Sequence, residues 1–493
     1  MAERADLTRR MGGPLGSHAR RGGIWFDPAP WTFAVATLVW LLTLLRHRPC
    51  QQHAAGQPVN AFMRLCYSDI PILYQSSPLG SGGLPYGSVS FAEPPLAAGL
   101  VLLARTVARI FGARPVAGAG PQELVGGAGL FLTASALLLF CCLMVMVACH
   151  LLMGRTSAQN LATSTRGRLR SWDALLVAAS PAVFTAGLVS WDLLGACLVS
   201  AALLAWALRR PRTSGVLFGL AISAGFWPAL VLLAIGLLCA RAGRMAAWGQ
   251  AVLAAALVWL AVNLPVMLWS LTGWSTPITS WTDGGPDLGS VWFLLQELGV
   301  RIPALSVLVV SLFGCWFAWL LNLVRRAPRR PRLGQVAFLL VAGWLLVDKG
   351  YTPQQVLWLV PLVALARPRL GDWALWSLAE ALYWWAVWGH LGGQLAPGDG
   401  GTDFVYLAAI AFRWLVLFWL VSQVAGDVRR PWEDPVRGPS VDDPIGGVLD
   451  HAPDAVPAVA NPREAHRAVA NQSPTTESPT TESPTNQAGD NHG

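Results

Sequence analysis

The chain consists of long apolar segments separated by short polar stretches that contain Arg, Pro or Gly. A helix of about 20 apolar residues crosses the ~30 Å hydrocarbon core of a bilayer. The segments that are long enough, or nearly so, are residues 24–45, 124–153, 174–189, 193–208, 216–239, 246–271, 303–324, 333–347, 356–366, 373–388 and 404–424. This pattern predicts an all-α polytopic membrane protein with about 11–13 transmembrane helices.

The charged residues support this prediction and suggest an orientation. Only 13% of the residues are charged, whereas soluble domains average about 25%, so a soluble enzyme is excluded. All 35 basic residues except Lys349 are Arg, and arginine clusters follow most of the apolar segments. The clusters share one face if residues 94–111 lie along the interface and if Gly225 and Pro228 divide residues 216–239 into two half-helices. The positive-inside rule then predicts a plasma-membrane protein with both termini in the cytoplasm.

The net charge of +8 is explained by this orientation, with membrane lipid rather than nucleic acid as the partner. Residues 1–23 form a predicted cytoplasmic basic arm, and residues 24–425 form the transmembrane domain, with the first extracytoplasmic loop at 46–93. Residues 426–493 are rich in Pro, Asp and Ala and end in SPTTESPTTESPT. Such a composition buries too little apolar surface to fold, so we expect a disordered cytoplasmic tail.

This topology brings the polar loops together on the outer face. Asp69 lies in LCYSDIPILY, Glu93 in FAEPPLAAG and Asp192 in SWDLLG. A partly desolvated carboxylate has a raised pKa and can take a proton from a hydroxyl group. Most acids in loops are simply solvated, but aromatic residues and prolines flank Asp69 and Glu93, which makes these two the better candidates.

A second polar run, DKGYTPQQ, contains Lys349, Tyr351 and Gln354. A cation beside phenol and amide donors suits a phosphate group. The alternative is a lysine at a helix end that pairs with Asp348, and the sequence favours neither reading.

Glu380 and Arg413 lie near the middle of the last two long apolar segments. Either charge would be costly in hydrocarbon without a partner. A structural ion pair between two helices is therefore predicted in preference to a contact with substrate.

Cys50 and Cys66 both fall in the first outer loop, where a disulfide and two free thiols are both possible. No cysteine has metal-ligand spacing with His. The sequence also lacks a Walker loop, a dinucleotide fingerprint, GxSxG and HExxH. The sequence therefore contains no motif that indicates a cofactor or a metal site. It leaves open whether a divalent metal takes part.

A series of motifs resembles the actinobacterial polyprenyl-phosphate-mannose-dependent glycosyltransferases of the GT-C class. In order, they are LCYSDIPILY, GGLPYG, AEPPLAAG, WDALLVAASPAVFTAGLVSWDLLG, ALLAWALRRPRTSGVLFGL, VNLP at 262–265 and DKGYTPQQVLWLVPLVALARP. Each motif is short, and their shared order over nearly the whole membrane part makes the resemblance fairly specific.

The resemblance implies a GT-C-like fold with a catalytic first extracytoplasmic loop and a sugar donor carried on a polyprenyl phosphate. Asp69 matches the acid of the first loop and would be the general base, and Glu93 would orient the sugar or the acceptor. Lys349, Tyr351 and Gln354 match the run that would contact the donor phosphate. Further substrate contacts are expected from the side chains of Tyr67, Asp192 and Asp287.

Two departures from the family pattern remove basic residues. Residues 223–228 read SAGFWP where relatives read Ala-Ala-Lys-Leu-Tyr-Pro, and the Asn and Arg expected before Asp287, Gly289 and Ser290 are absent. A site that holds a phosphate group normally uses such cations. The loss bears on the identity of the donor and on activity itself.

The leading hypothesis is a membrane glycosyltransferase, specifically a mannosyltransferase, that acts on the outer face. It would transfer a sugar, with inversion, from a polyprenyl-phosphate donor to a glycolipid or polysaccharide acceptor of the cell envelope. The alternatives are a transporter or flippase of a lipid-linked sugar and a catalytically degenerate GT-C scaffold.

Overall fold

The computed structural model describes residues 27–51, 59–87, 91–113, 120–159, 171–395, 402–437, 442–450 and 452. The regular elements in these ranges are all helices. The α-helices are α1 (Pro28–Gln51), α2 (Asp69–Ser76), α3 (Pro95–Ile110), α4 (Pro121–Gln159), α5 (Ala174–Ala178), α6 (Pro181–Ala186), α7 (Leu193–Ala207), α8 (Pro211–Ile222), α9 (Pro228–Arg241), α10 (Met245–Trp269), α11 (Leu271–Asp283), α12 (Val291–Glu297), α13 (Leu305–Arg326), α14 (Leu333–Val347), α15 (Val356–Ala366), α16 (Leu370–Leu391) and α17 (Phe404–Arg429). Short 3₁₀ turns occur at Ser171–Asp173, Pro353–Gln355 and Gly447–Leu449.

Helix length separates two groups. In the described part, five helices are long and apolar enough to cross a membrane, namely α1, α4, α10, α13 and α17. Four of these contain 22 to 26 residues and are about 33–39 Å long at 1.5 Å per residue. The apolar helices α7, α9, α14 and α15 contain 11 to 15 residues and reach only about 17–23 Å. Almost every residue of α14 and α15 is buried, so the short helices form the interior of an all-α membrane protein.

Several predicted segments coincide with observed helices. Residues 333–347 and 356–366 correspond to α14 and α15, because Arg and Pro mark their ends. The break predicted in residues 216–239 is also present, since α8 ends before Ser223 and Pro228 begins α9. Asn263 Nδ2 donates to Ser223 Oγ at 2.9 Å and holds the connecting segment.

One expectation about helices is corrected. Residues 174–189 are not one span, because Pro181 cannot continue a helix from α5 and starts α6 instead. The structure also contains a helix after the predicted segment 246–271, namely α11, whose N-cap Ser270 accepts a hydrogen bond from Gly273 N at 3.2 Å.

Arginines at the helix ends define one face of the molecule, here called the arginine face. Arg155 near the end of α4 lies 3.0 Å from Asp27 at the start of α1. Arg241 at the end of α9 donates to Ala327 O beyond the end of α13 at 2.9 Å, and it also donates to Val324 O. These contacts place ends of long and short helices at the same level.

The chain beyond α17 folds back onto the arginine face. Residues 430–437, 442–450 and 452 form this segment, here called the C-terminal clasp. Asp434 binds Arg332 at the start of α14 through two oxygens, at 2.7 and 3.0 Å. Asp443 Oδ2 accepts from Leu333 N at 2.7 Å, and Gly446 O accepts from Trp206 Nε1 at 3.0 Å. Ionic and backbone partners therefore hold a segment that has few apolar residues.

The clasp corrects the expectation of a disordered tail from residue 426. That expectation was wrong for residues 426–429, which belong to α17, and for the clasp. The polar composition of this segment suggested solvated aspartates, whereas Asp434 pairs with the buried Arg332. Residues 453–493 and the predicted arm at 1–23 lie outside the described residues.

Candidate functional site

Three carboxylates come together at the end of the bundle opposite the arginine face. Asp69 is the first residue of α2, Glu93 lies two residues before α3, and Asp192 lies immediately before α7. The charges of Asp69 and Asp192 both raise the pKa of Glu93, and that of Asp192 raises the pKa of Asp69. We call these three residues the acid cluster.

Backbone and hydroxyl contacts fix the position of Asp69. Its amide donates to Val189 O at 2.9 Å, so the start of α2 is held against the turn after α6. Tyr67 Oη donates to Asp69 Oδ1 at 2.7 Å. The Tyr67 ring is in turn stacked on Phe62 and packs against Trp388, each at a centroid distance of 4.9 Å. Burial raises the pKa of Asp69, and the hydrogen bond from Tyr67 opposes that rise.

A disulfide and an arginine anchor the chain that leads to Tyr67. Cys50 at the end of α1 is bonded to Cys66, with 5.9 Å between their Cα atoms. Arg46 Nη1 donates to Leu65 O at 2.9 Å, and His47 Nδ1 lies 3.0 Å from Cys66 O. Of the two alternatives that the sequence left open, the structure contains the disulfide, and it limits the movement of the residues just before Asp69.

Donors from two elements hold Asp192. Ser190 Oγ donates to Asp192 Oδ2 at 2.5 Å, and Trp358 Nε1 on α15 donates to Oδ1 at 2.7 Å. Trp358 is stacked on Trp227 at 5.7 Å and meets the edge of Phe226 at 5.6 Å. Burial raises the pKa of Asp192, and the two hydrogen bonds oppose the rise.

Glu93 has the most perturbed acid–base equilibrium of the cluster. Burial and the nearby charges of Asp192 and Asp69 raise the pKa of Glu93 to about 8. None of the ion pairs in the described ranges includes Glu93, Asp69 or Asp192. Within these ranges no cation offsets the repulsion, so the protonated form of Glu93 is favoured, whereas hydrogen-bond donors stabilise the ionised forms of the other two acids.

The acid cluster lies at the ends of the short helices that are farther from the arginine face. On the arginine face the short helices end at the level of the long ones, since Arg241 joins α9 to α13, and Arg367 after α15 binds Asp427 of α17. Their other ends, where Asp192 and Trp358 lie, are only about 17–23 Å away along the helix axes, which is less than the ~30 Å thickness of a hydrocarbon core.

Lys349 lies at the same end of the bundle and is bound to the protein itself. Its ammonium donates to Gly284 O at 2.7 Å and to Ser306 Oγ at 3.0 Å, and it also donates to Trp281 O at the end of α11. A cation is favourable at the carboxyl end of a helix. The neighbouring Asp348 accepts hydrogen bonds from the indoles of Trp281 and Trp344, at 2.8 and 3.0 Å, rather than from the Lys349 ammonium.

Tyr351 belongs to a buried polar group with Glu380 and Arg413. Tyr351 Oη donates to Glu380 Oε1 at 2.8 Å, and Arg413 Nε donates to Glu380 Oε2 at 2.7 Å. The Arg413 guanidinium also lies 4.0 Å from the centroid of the Tyr383 ring. The ion pair joins α16 to α17, and it satisfies charges that hydrocarbon would not tolerate singly.

Neither of the two remaining predicted residues is fully buried. Asp287 is exposed, and its amide donates to Lys349 O at 2.7 Å. Gln354 is half-buried in the 3₁₀ turn before α15, four residues ahead of Trp358. Sequence reasoning missed Trp358 and Ser190. Ser190 lies two residues before Asp192, a spacing typical of local hydroxyl–carboxylate bonds, but only the tertiary fold shows the contact with Trp358.

In the described ranges, no group of three or more His, Cys, Asp or Glu side chains is arranged to hold a metal ion.

No protein family matches the sequence, and no curated protein does. Among solved structures, the chain is similar to ArnT from Cupriavidus metallidurans bound to undecaprenyl phosphate. The two share 14% identity over 86% of this chain and 85% of that chain, with a TM-score of 0.42.

Proposed function

We propose that the chain is a membrane glycosyltransferase that takes a sugar from a polyprenyl-phosphate donor, with mannose as the first candidate sugar. The observation that carries the proposal is the acid cluster, in which Tyr67 holds the Asp69 carboxylate in place to act as a base. The cluster lies at the ends of apolar helices that are shorter than the ~30 Å hydrocarbon core, so we propose that a lipid-borne phosphate reaches it from the membrane. The order of the sequence motifs, from the first loop to the run at 348–355, supports the same reading.

Asp69 is the proposed general base. Its carboxylate takes the proton from an acceptor hydroxyl while the hydroxyl oxygen attacks the anomeric carbon of the sugar. The bond between that carbon and the phosphate oxygen breaks, and the phosphate leaves with the electron pair on the lipid carrier. Attack opposite to the leaving group inverts the configuration of the sugar.

The protonated Glu93 has two effects in this scheme. A neutral acid does not repel the donor phosphate, and it can donate a hydrogen bond to a sugar hydroxyl or a phosphate oxygen. Asp192, which is fixed by Ser190 and Trp358, is available to accept hydrogen bonds from the sugar or the acceptor. A neutral Glu93 beside a fixed Asp192 suits a site that lacks the two basic residues found in the related sequences.

The donor-phosphate contacts proposed from the sequence differ in how readily they can form. Lys349 and Tyr351 would have to leave their present partners, whereas Gln354 is half-buried one turn before Trp358. We therefore assign the first phosphate contact to Gln354. Asp287 is exposed at the same end of the bundle and is proposed to contact the acceptor.

The test measures sugar transfer in nanodiscs, with polyprenyl-phosphate mannose as donor and envelope lipids of a deletion strain as acceptor. Asp69→Asn is expected to lower the transfer rate by about 10²–10⁴-fold, the usual contribution of a general base. Asp283→Asn, at an exposed acid of α11, is the matched control and should leave the rate unchanged.

Other outcomes would contradict the proposal. Equal rates for the wild type and Asp69→Asn would show that Asp69 is not the base. Counterflow of labelled lipid without product would indicate a transporter. Failure to bind any polyprenyl phosphate in native mass spectrometry would indicate a scaffold.

A further inference from the structure

A cavity on the arginine face is unrelated to the acid cluster. It has a volume of about 290 Å³ and lies where the carboxyl ends of α13 and α17 meet. Trp319, Asn322 and Arg326 line it from α13, and Arg429 lines it from α17. The cavity is large enough for a polar headgroup and too small for a whole lipid.

The two arginines at this cavity are not needed to close their helices. Arg326 and Arg429 are exposed, and neither guanidinium has a hydrogen bond or ion pair with any residue that the structure describes. Val324 O in the last turn of α13 and Ala327 O just after that helix already accept hydrogen bonds from Arg241. Two cations thus remain available to an external anion.

Nearby acids do not neutralise these cations. Asp427, two residues before Arg429, is buried and bound to Arg367. Glu433 pairs with Arg430 at 3.2 Å. The cavity is therefore positively charged within the described part of the chain, and Asn322 adds a neutral hydrogen-bonding group.

The α13 wall continues as an apolar surface towards the middle of the membrane. Arg326, Asn322 and Trp319 follow one another at helical spacing, and Cys315 and Leu312 extend the same face. Cys315 and Leu312 are both exposed on a helix that is long enough to span the bilayer. The surface changes along its length from charged to aromatic to apolar.

Helix α17 shows the same order on its side of the cavity. Arg429 lies on one face with Phe418 and Leu415, which are 47% and 58% exposed. A free phosphate would use the arginines alone, whereas a phospholipid would use both the arginines and the two apolar stripes. The structure therefore favours a lipid.

We propose that this cavity binds the phosphate of an anionic phospholipid from the leaflet at the arginine face, with its acyl chains along α13 and α17. The positive-inside pattern predicts that this is the cytoplasmic leaflet. Basic pockets between transmembrane helices on that side suit anionic headgroups. The site is separate from the proposed donor site, because it lies at the opposite end of the short helices.

The test is native mass spectrometry of the detergent-purified full chain, titrated with phosphatidylglycerol or phosphatidylcholine. Arg326→Gln and Arg429→Gln together are expected to weaken phosphatidylglycerol binding about 30-fold, and each alone about 5-fold. Phosphatidylcholine binding should not change. The matched control removes two neighbouring exposed charges outside the cavity lining, with Arg325→Gln and Arg329→Gln, and should retain wild-type affinity.

Three results would overturn the proposal. One is unchanged phosphatidylglycerol binding by the Arg326/Arg429 variant at an unaltered melting temperature. A second is an equal loss in the control variant, which would show unspecific attraction to a basic surface. The third is displacement of the lipid by millimolar glycerol phosphate, which would assign the cavity to a soluble phosphate.

Discussion

Replacing Asp434 by Asn tests whether ionic contacts hold the C-terminal clasp. The Asp434 carboxylate accepts two hydrogen bonds from Arg332, one from Gln335 at 3.1 Å and one from Val436 N at 2.9 Å. The side chains of Asp434 and Arg332 are each 1% exposed. The substitution keeps the shape of the side chain but leaves the Arg332 charge buried without its counter-charge.

Removing one partner from a buried ion pair typically costs about 3–5 kcal/mol. Arg332 keeps its hydrogen bonds to Leu365 O and Ala366 O, at 2.8 and 2.6 Å, so we expect the lower end of this range. About 3 kcal/mol corresponds to a rise of roughly 100-fold in the equilibrium constant for local opening of the clasp.

Hydrogen exchange followed by mass spectrometry measures this constant directly. Backbone amides in 430–437 and 442–450 should exchange roughly 100-fold faster in Asp434→Asn, while those of α14 and α15 stay protected. Glu433→Gln is the control, because Glu433 also pairs with an arginine, Arg430, at 3.2 Å, but both side chains of that pair are more than half exposed. An exposed pair is worth at most about 1 kcal/mol, so exchange should rise less than about fivefold. Equal effects of the two substitutions would refute the reasoning.

Acid should open the clasp through the same residue. Burial alone would raise the pKa of Asp434, but the Arg332 charge and the hydrogen bonds outweigh burial and lower it. A lowered pKa in the folded state stabilises the clasp at pH values above the ordinary aspartate pKa of about 3.9. That stability is lost as the pH falls through the folded-state value. In Asp434→Asn the exchange rates should depend less on pH, and the remaining dependence should come from Asp443, whose pKa is raised by burial.

Three further predictions concern the acid cluster and the clasp. Sugar transfer by the wild type should fall as the pH rises through about 8, where Glu93 ionises, and Glu93→Gln should keep its rate between pH 7 and 9 in the same assay. Trp358→Phe keeps an aromatic side chain and removes the indole N–H that donates to Asp192. A hydrogen bond to a charged group contributes about 1.5–3 kcal/mol, so sugar transfer should drop about tenfold or more. An unchanged rate would show that Asp192 needs no such donor. Gly447 has a φ of +58°, and a Cβ there would meet the backbone oxygen of Trp206, so Gly447→Ala should speed hydrogen exchange in 442–450 without affecting sugar transfer.

Local sequence patterns predicted the apolar interior well. The bounds of α14 and α15 follow from apolar runs ended by Arg, Asp or Pro, and the break before Pro228 follows from residues that cannot continue a helix. The clasp was missed because its stability comes from pairs such as Arg332 and Asp434, which are about a hundred residues apart. Periodicity and composition carry no information about such pairs.

The candidate site was predictable in part. Topology alone placed the loops of Asp69, Glu93 and Asp192 on one face, and the structure brings these three acids close enough for their charges to interact. The partners of Lys349 were not predictable, because its ammonium binds carbonyl groups of α11, and any residue type can supply a carbonyl. The contact of Trp358 with Asp192 joins two helices whose packing the sequence does not specify.

The burial of Lys349 has a practical consequence for chemical labelling. It is the only lysine in the sequence and is 2% exposed, with its ammonium bonded to the end of α11. An amine-reactive ester therefore finds no lysine side chain on the surface of the folded protein. Acylation of Lys349 would require α11 to separate from the start of the run at 348–355, so the labelling rate of this single residue would report how often that junction opens.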